Sequence, residues 1–151
     1  MLTFNPTTRC LEPLQAADGL DLIGSSMGGF YAQYLARQFS VRHVYMINPA
    51  LKPWALLPDF LGPQKNEATG EEYELRREDA EATRDYAIDP VCDGIPTTLF
   101  LDKGDQVIDY RIAETLYRPC GRLQLFDGGS HLFEHMDQAA ALIRRDLGLD
   151  D

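Results

Sequence analysis

Basic residues are scarce in this chain. Fourteen Lys and Arg stand against 24 Asp and Glu, a formal net charge of -10 over 151 residues. Nucleic acids and anionic membrane surfaces are recognised through a basic footprint, so that balance excludes both as expected partners. Long apolar runs are missing too. Stretches such as Val44–Ile47 fall far short of the roughly 20 residues that a spanning helix needs. The opening MLTFNPTTRCLEP has no basic start followed by an apolar stretch, so no secretory leader is expected. Cysteine is sparse and odd in number: Cys10, Cys92 and Cys120 form no C-x-x-C pair. That spacing suggests neither zinc nor a redox motif. Each cysteine is expected to be a small buried hydrophobe in a reducing cytoplasm.

What remains is an ordinary globular profile, 44% hydrophobic and 25% charged, of a length that suits one domain with one core. Leu20–Ser25 reads as a short buried strand. Met27 to Phe39 reads as a helix, with Phe30 and Tyr34 on one face and Tyr31, Leu35 and Phe39 beside them. A second strand lies within Val41–Asn48 and ends at the Asn48-Pro49 turn. From about 51 to 95 the pattern breaks. Leu56, Leu57, Phe60 and Leu61 suit a short amphipathic helix stopped at Gly62-Pro63. The charge-dense QKNEATGEEYELRREDAEATRDY that follows suggests a solvated helical excursion over the sheet.

Alternation then returns. Thr97–Leu101 is an expected strand, Asp109 an expected cap for a helix from Tyr110 to about Arg118, and Leu123–Phe126 a further strand. A last helix would carry Phe133, Met136, Ala140, Ile143 and Leu147 on one face. Short apolar strands alternating with amphipathic helices imply an α/β fold, a mostly parallel sheet covered on both faces.

The motif that carries chemistry is Gly24-Ser25-Ser26-Met27-Gly28, a G-x-S-x-G match between a strand and a helix. That context is what a nucleophile elbow requires. The turn is sharp, and Gly24 and Gly28 are expected to relieve collisions around Ser26. The helix N-terminus favours negative charge, and the N–H of Met27 can donate to an oxyanion. A plain glycine-rich turn and a phosphate cradle are the alternatives. The P-loop lysine is missing, and the spacing does not fit G-x-G-x-x-G.

A serine hydroxyl needs a base to take its proton. His43 falls within a strand. His131 follows the strand LQLF and the turn DGGS, at the carboxyl edge of the sheet where Ser26 also lies. His135 comes one turn later and is expected on the surface. For the acid, the stretch LFLDKGDQVIDY offers Asp102, Asp105 and Asp109. Asp102 is still close to the strand, Asp109 suits capping, and Asp105 is best placed to reach a histidine. The run His131-Leu-Phe-Glu134-His135 also matches H-x-x-E-H, a zinc signature that needs both histidines on one helix. Gly128, Gly129 and Ser130 put His131 at or before the helix start, so no metal is expected.

GSSMGGFYA, INPALKPWALLPDFLG, TGEEY, GDQVIDY and GGSHLF together resemble the YqiA/YcfP-like esterases of the α/β-hydrolase superfamily, from about residue 20 onward. The resemblance implies hydrolysis of small carboxylic esters without a cofactor. It assigns Ser26 as nucleophile, Asp105 as acid, His131 as base and Met27 as one oxyanion donor. Trp54, Leu57 and Phe60, in the excursion, are candidates to roof the site and bind substrate. Chains of that family open with a strand running into a His-Gly-Phe loop that gives a second oxyanion N–H. MLTFNPTTRCLEPLQAADG shows nothing like it. The resemblance therefore implies an incomplete gene product or a trimmed relative, weakened by the ~10² to 10³ in kcat that one oxyanion donor supplies. It also implies a nucleophile strand at an exposed sheet edge, open to homodimer pairing.

Overall fold

The computed structural model describes residues 19–66 and 69–149. The expectations for the opening segment, including Cys10 and the missing His-Gly-Phe loop, lie outside the described residues. Four strands, β1 (Leu20–Ser25), β2 (Val41–Ile47), β5 (Thr97–Asp102) and β6 (Arg122–Phe126), form one sheet in the order β1-β2-β5-β6. All three pairings are parallel. Among the described residues β1 is an edge strand. No described helix is long and apolar enough to cross a membrane.

The two central strands explain the layering. β2 reads V-R-H-V-Y-M-I, and β5 reads T-T-L-F-L-D. Successive side chains of a strand point to opposite faces. Val44, Met46, Leu99 and Leu101 therefore enter one core with Ala32, Ala36, Ala113 and Tyr117. These last four come from α1 (Met27–Leu35), the turn after it, and α4 (Tyr110–Tyr117). Tyr45, Ile47 and Phe100 enter the other core, with Phe133 and with Ala139 and Ile143 of α5 (Met136–Asp146). A near-continuous apolar strand is what a sheet covered on both faces demands.

Helix ends differ from the sequence reading in instructive ways. α1 stops at Leu35, and Arg37, Gln38 and Phe39 continue as turns bonded to the carbonyls of Tyr34 and Leu35. The expected apolar face of α5 is shifted: Met136 is 46% exposed while Ala139 is fully buried. Phe133 packs in the core from the loop before the helix, at φ 61°. Asp109 caps α4 as expected, its Oδ1 accepting the N–H of Arg111 at 3.0 Å.

The excursion is not purely helical. α2 (Pro53–Leu56) runs into a 3-10 turn at Leu57–Phe60. An antiparallel hairpin follows, β3 (Gly62–Lys65) against β4 (Glu72–Leu75). Then come α3 (Arg77–Ala82) and a second 3-10 turn, Thr83–Tyr86. Glu72-Tyr-Glu-Leu75 alternates with a period of two, a strand pattern inside a charge-rich stretch.

The cysteine reading is corrected. Cys92 and Cys120 are both exposed and joined by a disulfide across a sequence separation of 28. The bond ties the end of the excursion to the turn between α4 and β6.

Candidate active site

Ser26 is the pivot between β1 and α1. Its φ of 52° is in the left-handed region, which a non-glycine residue enters only when its surroundings hold it there. Two sets of bonds do so. The N–H of Ser26 donates to the Ile47 carbonyl at 2.9 Å. The Ser26 carbonyl accepts from Gly29 at 3.0 Å and from Ala50 at 3.0 Å. The turn is thus clamped to the loop that leaves β2.

Gly24 is required sterically. A Cβ there would collide with the carbonyl of Gly28 and lie 2.7 Å from the Gly29 nitrogen. The expectation for Gly28 is corrected, because a Cβ at that position would meet nothing within 4 Å. The tight contact belongs to Gly28's backbone, while its own substituent direction faces open space. Met27 opens α1, so its N–H has no intrahelical carbonyl to meet and stays available beside Ser26.

Two hydrogen bonds link three distant residues. Nε2 of His131 lies 3.0 Å from Oγ of Ser26. Nδ1 of His131 lies 2.9 Å from Oδ2 of Asp105. The Asp105 side chain is 2% exposed, and its other oxygen accepts the N–H groups of Val107 at 2.8 Å and Ile108 at 2.9 Å. A carboxylate accepts, so the Nδ1 hydrogen of His131 donates to it. Nε2 is then the acceptor that faces the Ser26 hydroxyl.

A second layer, absent from the sequence reading, holds this arrangement. Asp102 is fully buried. Its Oδ2 accepts the N–H of Ser130 at 3.2 Å and of Glu134 at 2.8 Å, and its Oδ1 lies 2.6 Å from Nδ1 of His135. The loop carrying His131 is wrapped around one carboxylate. Gly129 passes so close, at φ 74°, that a Cβ on it would fall on that carboxylate. His135 is accordingly no surface residue: it is half-buried, paired with Asp102 and stacked on Phe126 at 4.6 Å. The imidazoles of His131 and His135 engage separate carboxylates rather than converging on one point, and His135 stands at the position before α5 instead of within it.

Asn48 links the layers. Its Oδ1 accepts the N–H of Asp102 at 2.9 Å, and its Nδ2 donates to the Ser130 carbonyl at 2.9 Å. Asn48, with φ 40°, lies in the left-handed region that asparagine tolerates. The Asn48-Pro49-Ala50 stretch therefore has a role for each residue. Ala50 bonds Ser26, Pro49 packs on Gly29, and Asn48 joins the ends of β5 and the His131 loop.

The three residues expected to roof the site separate. Leu57 lines a cavity of about 270 Å³ together with Met27. Trp54 packs edge-on against Phe30 at 6.2 Å and borders a different cavity, of about 530 Å³. Phe60 is 43% exposed on the surface. Tyr31 also lines the first cavity, and burial, followed by the neighbouring Tyr86, pushes its hydroxyl above the ordinary tyrosine range.

Solved structures with a similar fold include alpha/beta hydrolase domain-containing protein 10 from mouse, at 17% identity and a TM-score of 0.69 over 93% of this chain and 66% of that one. The esterase domain of a Rhodothermus marinus protein matches at 22% identity and a TM-score of 0.64, over 89% and 61%. Est1E from Butyrivibrio proteoclasticus matches at 12% identity and a TM-score of 0.65, over 93% and 64%. The chain spans less than two thirds of the length of each of these three. The shared architecture is the α/β-hydrolase fold. A family model matches residues 5–144. The chain belongs to the uncharacterised protein family UPF0227, the YqiA/YcfP-like family that its motifs resemble.

Proposed function

We propose that this chain is a serine esterase that hydrolyses small carboxylic esters without a cofactor. The observation that carries the reading is the two-bond run from Asp105 through His131 to Ser26, ending on a strained turn at a helix N-terminus. Oγ of Ser26 attacks the ester carbonyl carbon while Nε2 of His131 takes the hydroxyl proton. Asp105 accepts the Nδ1 hydrogen, holds the ring in that tautomer and stabilises the imidazolium. The carbonyl oxygen becomes an oxyanion, to which the N–H of Met27 donates. The tetrahedral adduct collapses, the C–O bond to the alcohol breaks, and His131 returns the proton to the departing oxygen. Water, deprotonated by His131, then attacks the acyl-Ser26 carbonyl. The acid leaves and the Ser26 hydroxyl regains its proton.

The test is turnover of p-nitrophenyl acetate by wild type and by Ser26→Ala. Loss of turnover in the variant is expected, and equal rates reject the reading.

One observation favours a second reading, a binding module on a hydrolase scaffold. β1 is an edge among the described residues, and Ile23 on it is 57% exposed. Such an edge can pair with a second copy. This reading expects a stable dimer without esterase turnover.

A further inference from the structure

The cavity beside Met27 has walls of a particular chemistry. Tyr31, Tyr73 and Tyr86 supply three aromatic rings, and Asp79 and Asp85 supply two carboxylates. No Lys, Arg or His is among its lining residues. Tyr31 and Tyr86 stand at 76° with centroids 5.5 Å apart, so two walls meet nearly at a right angle. Tyr86 also stands edge-on to Tyr34 at 5.1 Å. The nearby Arg84 is turned elsewhere, with its guanidinium 5.1 Å above the Trp54 ring and its Nε on Glu81.

Aromatic rings set at an angle, with carboxylates and no competing base, are the surroundings in which an ammonium group is attracted to ring faces. The wider charge pattern agrees. Between residues 51 and 95 there are eleven Asp and Glu against five Lys and Arg, six of the chain's ten net negative charges. Most of the cavity's lining residues come from this acidic segment, and a surface of one charge sign raises the local concentration of counter-ions. At about 270 Å³ the cavity suits one compact group rather than a long acyl chain. Met27, the residue next to Ser26, is one of its lining residues.

We propose that this cavity receives a quaternary or protonated ammonium group, so that the preferred substrates are small esters carrying such a cation on the alcohol or acyl side. The proposal rests on the serine-esterase reading for the reaction but not for the binding. Tyr31, Tyr73 and Tyr86 form the box, Asp79 and Asp85 balance the charge, and Leu57 closes the apolar side.

The full chain with Ser26→Ala binds without turnover and isolates recognition. Its affinity for acetylcholine is compared by calorimetry with that for 3,3-dimethylbutyl acetate, the uncharged isostere. The cation is expected to bind at least about tenfold tighter at low salt. The ratio is expected to shrink as salt rises, and to fall toward one when Asp85→Asn or Tyr86→Leu is added. Equal affinities, a preference for the neutral ester, no binding of either, or a preference that survives both added substitutions would overturn the proposal. Wild-type turnover of p-nitrophenyl acetate separates the two readings. Turnover without cation preference sinks this inference alone. Cation preference without any turnover sinks the esterase reading and leaves the ammonium site standing.

Discussion

Nδ1 of His135 lies 2.6 Å from Oδ1 of Asp102, a carboxylate with no exposure to solvent. The same carboxylate accepts the backbone N–H groups of Ser130 and Glu134, on either side of the segment that presents His131. Replacing Asp102 with Ala leaves those part-buried donors without their partner, at up to about 1–3 kcal/mol for each that water does not reach. Denaturant unfolding of Asp102→Ala is expected to show a loss in that range or larger. Ester turnover is expected to fall as well, because the His131 loop loses its anchor. A variant as stable and as active as wild type would show that the carboxylate does not hold the loop.

Asn48 joins the end of β5 to the Ser130 carbonyl, and its Nδ2 lies 3.5 Å from the His131 carbonyl. Asn48→Asp keeps the acceptor toward Asp102 and removes the donor toward Ser130. Displacement of a catalytic group by about 1 Å can cost about 10² in rate. The expected result is a drop in kcat of about 10- to 100-fold with KM changed less, read from steady-state kinetics on p-nitrophenyl acetate. A KM effect alone would mean that Asn48 acts on substrate binding instead.

The two glycines of the G-x-S-x-G motif are expected to behave unequally. Gly24→Ala forces a Cβ onto the Gly28 and Gly29 backbone and should cost about 1–3 kcal/mol or more. Gly28→Ala meets open space and gains helix propensity, up to about 1 kcal/mol. Urea midpoints of the two variants check this directly, and equal destabilisation would contradict the geometry.

Cys92 and Cys120 are bonded to each other, and the chain has three cysteines. A thiol assay on unreduced, denatured protein is therefore expected to find one free thiol per chain. Breaking the bond by substituting both residues with Ser is expected to lower stability by about 2–4 kcal/mol. Three free thiols would contradict the pairing.

Much of this architecture was legible in the residues because its signals are local. The strand of Leu20–Ser25, the elbow after it and the cap at Asp109 depend on neighbours within a few positions, and the structure has them where the spacing puts them. Asp105 and His131 were legible through chain order on one sheet edge. Asp102, Asn48 and His135 were not. Their partners are 28 or more residues away, and in sequence each looks like an ordinary turn or surface residue. The hairpin of β3 and β4 was hidden differently: β4 alternates, but every second position of it is charged, and charge density suggested a solvated helix. Gly28 shows a third kind of miss. The motif names two glycines, but only backbone geometry reveals which one the close approach needs.

The central claim is that Ser26 is an activated nucleophile with His131 as its base. The most direct measurement is labelling with a fluorophosphonate probe, followed by peptide mapping, on wild type, Ser26→Ala and His131→Ala. The account expects one adduct on the peptide carrying Ser26 in the wild type, none there in Ser26→Ala, and labelling slowed to near background in His131→Ala. No adduct on wild type, or an adduct that forms as fast without His131, would contradict it.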